Sequence, residues 1–274
     1  KGFFCNSGAE ANAGAVKLAR KSGNVKLGGA YEIITALNSF HGRTLAMVAA
    51  GGTPRYAEPF TPLLPGFVHV EYNSLPAIEK AAGRNTCAVM LEPIQGEGGV
   101  IIPGDSYLKE VRAFCQERGL LLILDEVQTG LGRVGNLFAY QQAGAEPDIM
   151  ALAKGLGGGF PIGAFLAKEK AAVFQPGDHA STYAGNPLAC SAALAVLKYI
   201  LGNDIPGRAR KMGDYFLSRL EALKGRFPAI AEARGRGQRD VELAVVGLHA
   251  PLAAAEGGGV GGVQLLLEGG GCAH

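Results

Sequence analysis

The hydrophobic pattern of the chain alternates short apolar runs with longer amphipathic stretches. Short runs typical of buried strands occur at about 31–37, 87–91, 120–125, 148–153 and 161–167. Longer stretches with capping signals predict helices over about 8–22, 106–118 and 187–201, and a further amphipathic helix around 212–223. Residues 51–68, rich in Gly, Pro and Thr, predict an irregular loop. Strands alternating with helices predict an α/β fold with a mostly parallel sheet and helices on both faces.

Two of the predicted strands lead to charged residues, Asp125 and Lys154. Ligands of open α/β sheets bind at the carboxyl ends of the strands, where these side chains would meet. A lysine can hold an aldehyde cofactor as a Schiff base, and an aspartate can keep a pyridine nitrogen protonated. The pair therefore predicts pyridoxal phosphate chemistry, and the glycines at 155 and 157–159 would let a bulky ligand approach the backbone. The alternative is a surface lysine and a loop-capping aspartate, which are common at strand ends.

Two other segments carry candidate binding residues. Ser7 and Glu10 have the spacing of a capping box, and the helix start at Gly8 would be a suitable anion site. After the strand at 31–37, Phe40 could stack on a heteroaromatic ring and Arg43 could bind a carboxylate through two hydrogen bonds. The alternatives are a well-capped helix, a core phenylalanine and a solvated arginine.

Glu92 and Glu97 lie on a glycine-rich loop that follows the strand at 87–91. Their carboxylates could face a basic group of a substrate or pair with an arginine. No metal site is expected there, because no histidine accompanies the two glutamates.

Composition narrows the class of protein. The 274 residues, 48% hydrophobic and 18% charged, are typical of a globular chain with one large domain or one and a half. A net charge of +2 gives no reason to expect nucleic acid as a partner. The five cysteines are widely spaced and predict reduced thiols in a cytoplasmic protein, with neither a disulfide framework nor a zinc site. No apolar run approaches the ~20 residues of a membrane span, so no membrane is expected.

Taken together, the motifs resemble those of the class-III aminotransferases, which belong to the fold-type-I superfamily of pyridoxal-phosphate-dependent transferases. The matching segments are 3–12, 40–44, 91–98, 123–133, 151–163 and 181–190. The resemblance implies a large cofactor-binding domain over residues 1–200, and the start, or remnant, of a small C-terminal α+β domain over 201–237. Within the family, the chain most resembles the members that act on N-acetylornithine. The members that act on ornithine and on 4-aminobutyrate are the next most similar.

The resemblance also implies the cofactor contacts. Lys154 would form the Schiff base with pyridoxal 5'-phosphate and then move the proton from substrate Cα to cofactor C4′. Asp125 would pair with the pyridine nitrogen, Gln128 would contact the ring hydroxyl, and Phe40 would stack on the ring. The remaining contacts would be to phosphate groups, from Ser7, Gly8, Ala9 and Thr182. Thr182 would reach the cofactor of a neighbouring subunit, which implies a homodimer with shared active sites.

For the substrate, the resemblance implies that Arg43 binds the α-carboxylate and that Ser181 lies close by. Glu97 resembles a glutamate that gates a second arginine. The implied reaction moves the terminal amino group of N-acetylornithine, or of a related ω-amine, to 2-oxoglutarate, giving glutamate and a semialdehyde in arginine biosynthesis. The alternatives are another ω-aminotransferase of the class, a decarboxylase or aminomutase of the superfamily, and an inactive chain that only binds cofactor or dimerises.

The two ends of the chain depart from this pattern. A family segment is expected to be missing before Lys1, where the sequence shows no methionine and no signal peptide. Residues 238–274 are rich in Gly, Ala and Leu and are expected to be poorly ordered or loosely packed. Their character suggests a shifted reading frame or a misassembled gene.

Overall fold

The computed structural model describes residues 1–227, 230–237 and 240–245, the last of these through the backbone alone. The strands of this part are β1 (Gly2–Cys5), β2 (Glu32–Ala36), β3 (Phe67–Val70), β4 (Thr86–Leu91), β5 (Leu121–Asp125), β6 (Ile149–Leu152), β7 (Gly163–Ala167), β8 (Ile230–Arg236) and β9 (Asp240–Val245). The α-helices are α1 (Gly8–Lys26), α2 (Leu45–Ala50), α3 (Pro54–Ala57), α4 (Leu75–Ala81), α5 (Tyr107–Glu117), α6 (Ala139–Ala143), α7 (Pro187–Gly202) and α8 (Ile205–Lys224). Short 3₁₀ helices lie at Glu58–Phe60, Lys154–Gly157 and Glu169–Ala171.

The central sheet is mostly parallel. Within the described residues it has seven strands in the order β1-β7-β6-β5-β4-β2-β3. The pairs among β2 to β6 are all parallel, whereas β7 is antiparallel to both β6 and β1. The predicted α/β fold is therefore confirmed. β8 and β9 form a separate antiparallel pair.

Both faces of the central strands β4, β5 and β6 are buried, and alternate residues of a strand pack on opposite faces. On β5, Ile123 packs in the same cluster as α1 residues such as Val16 and Leu18. Its neighbours Leu122 and Leu124 pack with α5 on the opposite face. Burial on both sides requires apolar residues at successive positions, which explains why the sequences of β5 and β6 are almost unbroken apolar runs.

Helix α1 begins as predicted but ends later. The Ser7 hydroxyl accepts a hydrogen bond from the Glu10 N–H at 3.3 Å and caps the helix. The predicted end of this helix, near residue 22, is wrong, because the helix continues through Gly23 to Lys26. A Cβ at position 23 would lie 2.0 Å from the Ala30 carbonyl oxygen. Glycine is therefore needed there for close packing, and it does not end the helix.

The predicted loop at 51–68 is only partly irregular. It contains α3, the 3₁₀ helix Glu58–Phe60 and the first residues of β3. The sequence analysis also did not predict β1, α2 or α4. These elements are short, with four to seven residues each, and such lengths give too few positions for a period to be recognised.

The C-terminal segment is described only in part. Residues 240–245 pair with β8, a pairing that the prediction of poor order did not include. The remainder of the predicted atypical tail, including Cys272, lies outside the described residues. The cysteines within them, Cys5, Cys87, Cys115 and Cys190, are all unpaired.

In the described part of the chain no single helix has the length and apolar character needed to cross a membrane. Helices α7 and α8 meet those criteria only when joined across a 65° bend.

Candidate active site

The carboxyl ends of β5 and β6 form the floor of a cleft. Asp125 is the last residue of β5 and lies beside Ala151 of β6, and Lys154 follows two residues after β6 ends. The cleft has a volume of about 380 Å³, within the roughly 300–1,000 Å³ typical of small-molecule sites. Its lining includes the predicted residues Ser7, Gly8, Ala9, Phe40, Glu97, Asp125, Gln128 and Lys154. The fold thus brings together segments that are far apart in the sequence.

Asp125 is held by a set of buried hydrogen bonds. Its Oδ2 accepts from Asn12 Nδ2 at 2.7 Å and lies 2.8 Å from His41 Nδ1, while Oδ1 accepts from the Val127 N–H at 3.1 Å. The Asn12 amide also donates to the His41 carbonyl oxygen at 2.9 Å, so it joins α1 to the loop after β2. Asn12, His41 and Asp125 are each at most 4% exposed. These contacts to Asn12, His41 and Val127 can hold the Asp125 carboxylate in a fixed orientation toward the cleft.

Two buried titratable groups next to Asp125 have raised pKa values. Burial by itself would lower the pKa of His41, but its hydrogen bond to Asp125 and the negative charges of Asp125 and Glu92 raise the pKa above its usual value. Burial raises the pKa of the Glu92 carboxyl to about 7, opposed by the charge of His41 and reinforced by that of Asp125. The Glu92 carboxyl beside the cleft therefore gains or loses its proton near neutral pH.

Lys154 extends into the cleft from a constrained backbone position. Its φ is +41°, a region that non-glycine residues seldom occupy, and it begins the 3₁₀ helix Lys154–Gly157. Its Nζ donates to Gln128 Oε1 at 2.6 Å. This amine is exposed to the cleft and is in contact with the residue predicted to bind the ring hydroxyl.

The start of α1 forms another wall of the cleft. A Cβ at Gly8 would lie 2.9 Å from Val127 Cγ1 and 3.5 Å from Ala153 Cβ. Glycine thus lets the helix start pack directly against the ends of β5 and β6. Because Ser7, Gly8 and Ala9 line the cleft, the positive end of the helix dipole faces it.

This set of groups fits pyridoxal phosphate. An amine is present for the aldehyde, a carboxylate for the pyridine nitrogen, an aromatic ring for stacking and a helix start for the phosphate. Each group comes from a different element, and all of them border the same cleft.

Three predicted residues lie outside the cleft lining. The Arg43 guanidinium lies over the rings of Tyr56 and Phe40, with its Cζ 4.7 Å and 5.7 Å from their centroids. The Ser181 hydroxyl accepts a hydrogen bond from Asn6 Nδ2 at 3.3 Å. Thr182 is exposed. The roles of these residues stay predictions.

The sequence analysis did not assign roles to Asn12 or His41 and gave Glu92 only a general one. Asn12 could have been noticed as a polar residue among Ala11, Ala15 and Val16 on the apolar side of α1, because a buried polar group is an informative signal. His41 stands beside Phe40 in a segment already singled out. Nothing in the local pattern indicated that both contact Asp125.

Comparisons with known proteins agree with the fold. Residues 1–243 match the family model described as aminotransferase class-III. The chain belongs to the class-III aminotransferase family. Its fold class is that of the fold-type-I transferases, since the solved structures similar to it include a pyridoxal-phosphate-bound amine transaminase from an uncultivated Pseudomonas species. That structure has a TM-score of 0.84 and 32% identity, over 90% of this chain and 62% of the other.

Particular relatives are more similar still. The chain is 56% identical to acetylornithine aminotransferase of Gloeobacter violaceus over 86% of its own length and 59% of that protein. It is 50% identical to succinylornithine transaminase of Photorhabdus laumondii, over 86% of its own length and 60% of that protein. Ornithine aminotransferase of Toxoplasma gondii is similar in structure, with a TM-score of 0.87 and 37% identity. The similarity covers 89% of this chain and 60% of the other.

The chain thus spans about three fifths of the length of the curated relatives it matches. The cofactor that the family and the similar structures define is pyridoxal 5'-phosphate.

Proposed function

We propose that the chain is a pyridoxal-phosphate-dependent transaminase that moves the terminal amino group of N-acetylornithine to 2-oxoglutarate, giving glutamate and a semialdehyde. The observation that carries the proposal is the cleft in which Lys154, Asp125 and the start of α1 meet. Similarity to acetylornithine aminotransferases at 54–56% identity supports this choice of donor.

Bound pyridoxal phosphate supplies an aldehyde that takes up an amino group and a pyridine ring that accepts electrons from the adjacent bond. Lys154 would hold the cofactor through its Nζ. The same amine, when free, would be placed to take a proton from the carbon that carries the transferred nitrogen. The Gln128 amide oxygen, 2.6 Å from Nζ, orients that amine. Lys154 therefore serves both as the attachment point and as the base.

Asp125 stabilises positive charge on the ring side of the cleft. Its negative charge is fixed by Asn12, by His41 and by the Val127 N–H, so that it can hold a proton on a pyridine nitrogen. Phe40 would stack on the ring, and the start of α1, with Ser7, Gly8 and Ala9, would bind the phosphate. Binding at several points orients the reacting bond and excludes water from it.

On the substrate side, Arg43 binds the α-carboxylate, Ser181 lies near the substrate, and Glu97 at the cleft wall gates a second arginine. N-succinylornithine is an alternative donor, favoured by the relative named succinylornithine transaminase. Ornithine, 4-aminobutyrate and other ω-amines are further alternatives. Decarboxylation would use the same cofactor contacts and is separated from transamination by its products.

We further propose a homodimer in which Thr182 reaches the phosphate of the partner subunit's cofactor, and a cytoplasmic location. The exposure of Thr182 and of Tyr183, which is 74% exposed, supports a contact at this loop. The division into a cofactor domain over 1–200 and a second unit from 201 is part of the same proposal. The opposing proposal is a chain that binds cofactor or dimerises without turnover.

The cofactor site is tested by incubating the purified chain with pyridoxal phosphate, reducing with borohydride and mapping the adduct by peptide mass spectrometry. We expect an adduct on Lys154 that Lys154→Arg abolishes, whereas Lys168→Arg, at a surface ion pair with Glu146, leaves it unchanged. A folded chain with no adduct at Lys154 would contradict the proposed site.

The reaction is tested with a panel of amino donors and 2-oxoglutarate, with glutamate and carbon dioxide both measured. Glutamate without carbon dioxide is the expected result, with N-acetylornithine or N-succinylornithine as the preferred donor. Release of carbon dioxide would instead support a decarboxylase. An adduct at Lys154 without any glutamate would support the chain that binds cofactor but does not turn over.

A further inference from the structure

A tight turn at Gly96–Val100 carries Glu97 into the wall of the cleft. At its base, Gln95 and Ile101 exchange two backbone hydrogen bonds of 3.1 and 2.9 Å. At its tip, the N–H groups of Gly99 and Val100 both donate to the Gly96 carbonyl, at 3.1 and 3.2 Å. The position of Glu97 therefore depends on the shape of this turn.

The turn has an unfavourable backbone conformation. Val100 has a φ of +46°, which a β-branched residue rarely adopts, and Gly99 before it has a φ of +104°. Local preference would move Val100 out of this conformation, so contacts from outside the turn must maintain it.

A single guanidinium on the C-terminal hairpin supplies such contacts. Arg234, on β8, donates to the Gly99 carbonyl from Nε at 3.0 Å and from Nη2 at 2.6 Å, and its Nε also lies 3.1 Å from the Val100 carbonyl. Its Nη1 donates to Glu232 Oε2 at 2.6 Å, which fixes the orientation of the fork. Arginine can make these bonds together because its donors lie in one plane, whereas a lysine ammonium has no such fork.

The turn is also held on its inner side. The buried carboxylate of Glu92 accepts from the Gly96 N–H at 3.3 Å and from the Phe40 N–H at 2.9 Å. A carboxylate therefore binds the first residue of the turn, and a guanidinium binds the last two. Glu97 lies between these two attachments.

We propose that Arg234 is a positioning residue for substrate selection. By holding the Gly96–Val100 turn, Arg234 links the β8–β9 hairpin to the cleft. Through the turn it keeps the Glu97 carboxylate in the cleft wall, the position from which Glu97 would gate a second arginine of the substrate site. The inference deepens the proposed function and rests on it for the identity of the substrate. The fold of the turn itself is independent of that function.

The first test is hydrogen–deuterium exchange of the full chain without substrate. Arg234→Gln should raise the exchange rate of the amides at 95–101 by at least about tenfold, because hydrogen bonds from a charged donor are lost. The matched control is Arg236→Gln, two residues along the same strand, where the arginine pairs with Asp105 on the surface at 3.2 Å. Equal exchange in Arg234→Gln and Arg236→Gln would overturn the proposal.

The second test is steady-state kinetics of the cofactor-loaded chain. Arg234→Gln should raise the KM for the amino donor about tenfold with kcat changed less than twofold, and Arg234→Lys should do nearly the same because it keeps the charge without the fork. The Lys154 adduct should form as in the unaltered chain. An equal fall of kcat with unchanged KM, or full function in Arg234→Lys, would overturn the inference.

These readouts separate the two proposals. If the unaltered chain forms no adduct and no glutamate, the proposed function fails, while the exchange experiment still decides whether Arg234 holds the turn. If Arg234→Gln does not fold by circular dichroism, Arg234→Lys gives the exchange result: faster exchange at 95–101 supports the fork, and unchanged exchange overturns it.

Discussion

Asn12 should be a major source of stability for the part of the cleft around Asp125. Its amide nitrogen donates to Asp125 Oδ2 at 2.7 Å and to the His41 carbonyl at 2.9 Å, and the residue is 1% exposed. Asn12→Ala removes a bond to a charged acceptor, about 1.5–3 kcal/mol, and a neutral bond of about 0.5–1.5 kcal/mol. The expected loss in the free energy of unfolding is therefore about 2–4 kcal/mol.

A thermal melt of the full chain followed by circular dichroism measures this loss. For a chain of this size about 2–4 °C of Tm corresponds to 1 kcal/mol, so Tm should fall by roughly 4–16 °C. The matched control is Asn24→Ala, on the exposed side of the same helix, which should change stability by less than about 0.5 kcal/mol. If the two variants have the same Tm, Asn12 does not hold Asp125 in the way described.

A variant of equal size separates the hydrogen bonds from the cavity. Asn12→Asp keeps the volume but replaces the donated N–H with a second carboxyl group beside Asp125, so at neutral pH it should destabilise the chain. A variant as stable as the unaltered chain would show that packing, and not the hydrogen bond to Asp125, dominates at this site.

Three further predictions concern Lys154, Glu92 and Gly23. Lys154→Ala should lower turnover by at least about 10²–10⁴-fold in a glutamate assay, while fluorescence still detects bound cofactor; comparable turnover would exclude Lys154 as the base. The Glu92 carboxyl has its pKa raised from 4.5 to about 7 by burial, so the folded state binds its proton more tightly. Its contribution is then fully present below about pH 4.5 and is lost as the pH rises toward 7, by roughly 3 kcal/mol, and Glu92→Gln should flatten this part of the urea-unfolding profile. Gly23→Ala should cost about 3 kcal/mol or more, because a Cβ there would meet the Ala30 carbonyl at 2.0 Å, while Gly83→Ala, with open space around it, should be neutral or stabilising by up to about 1 kcal/mol. Similar chemical denaturation of the two glycine variants would contradict the packing argument.

Much of the fold and of the cleft could be predicted from local signals. The apolar runs that end in Asp125 and Lys154 are β5 and β6, because strands buried on both faces need apolar residues at every position. The Ser7 cap marked the start of α1, since a side-chain cap acts over three residues and is visible in the sequence. Residues at the carboxyl ends of parallel strands could be expected to meet, and Gln128 and Lys154 do.

What the tertiary structure alone decided are the contacts between distant segments. The strand order and the antiparallel direction of β7 depend on how the chain returns to the sheet, which a periodic pattern does not encode. Asn12 and Asp125 are 113 residues apart, and Arg234 and Gly99 are 135 apart. A contact between groups so far apart in the sequence produces no local pattern near either of them. The residues that could form the site were therefore visible in the sequence, while those that hold it in position became visible only in the fold.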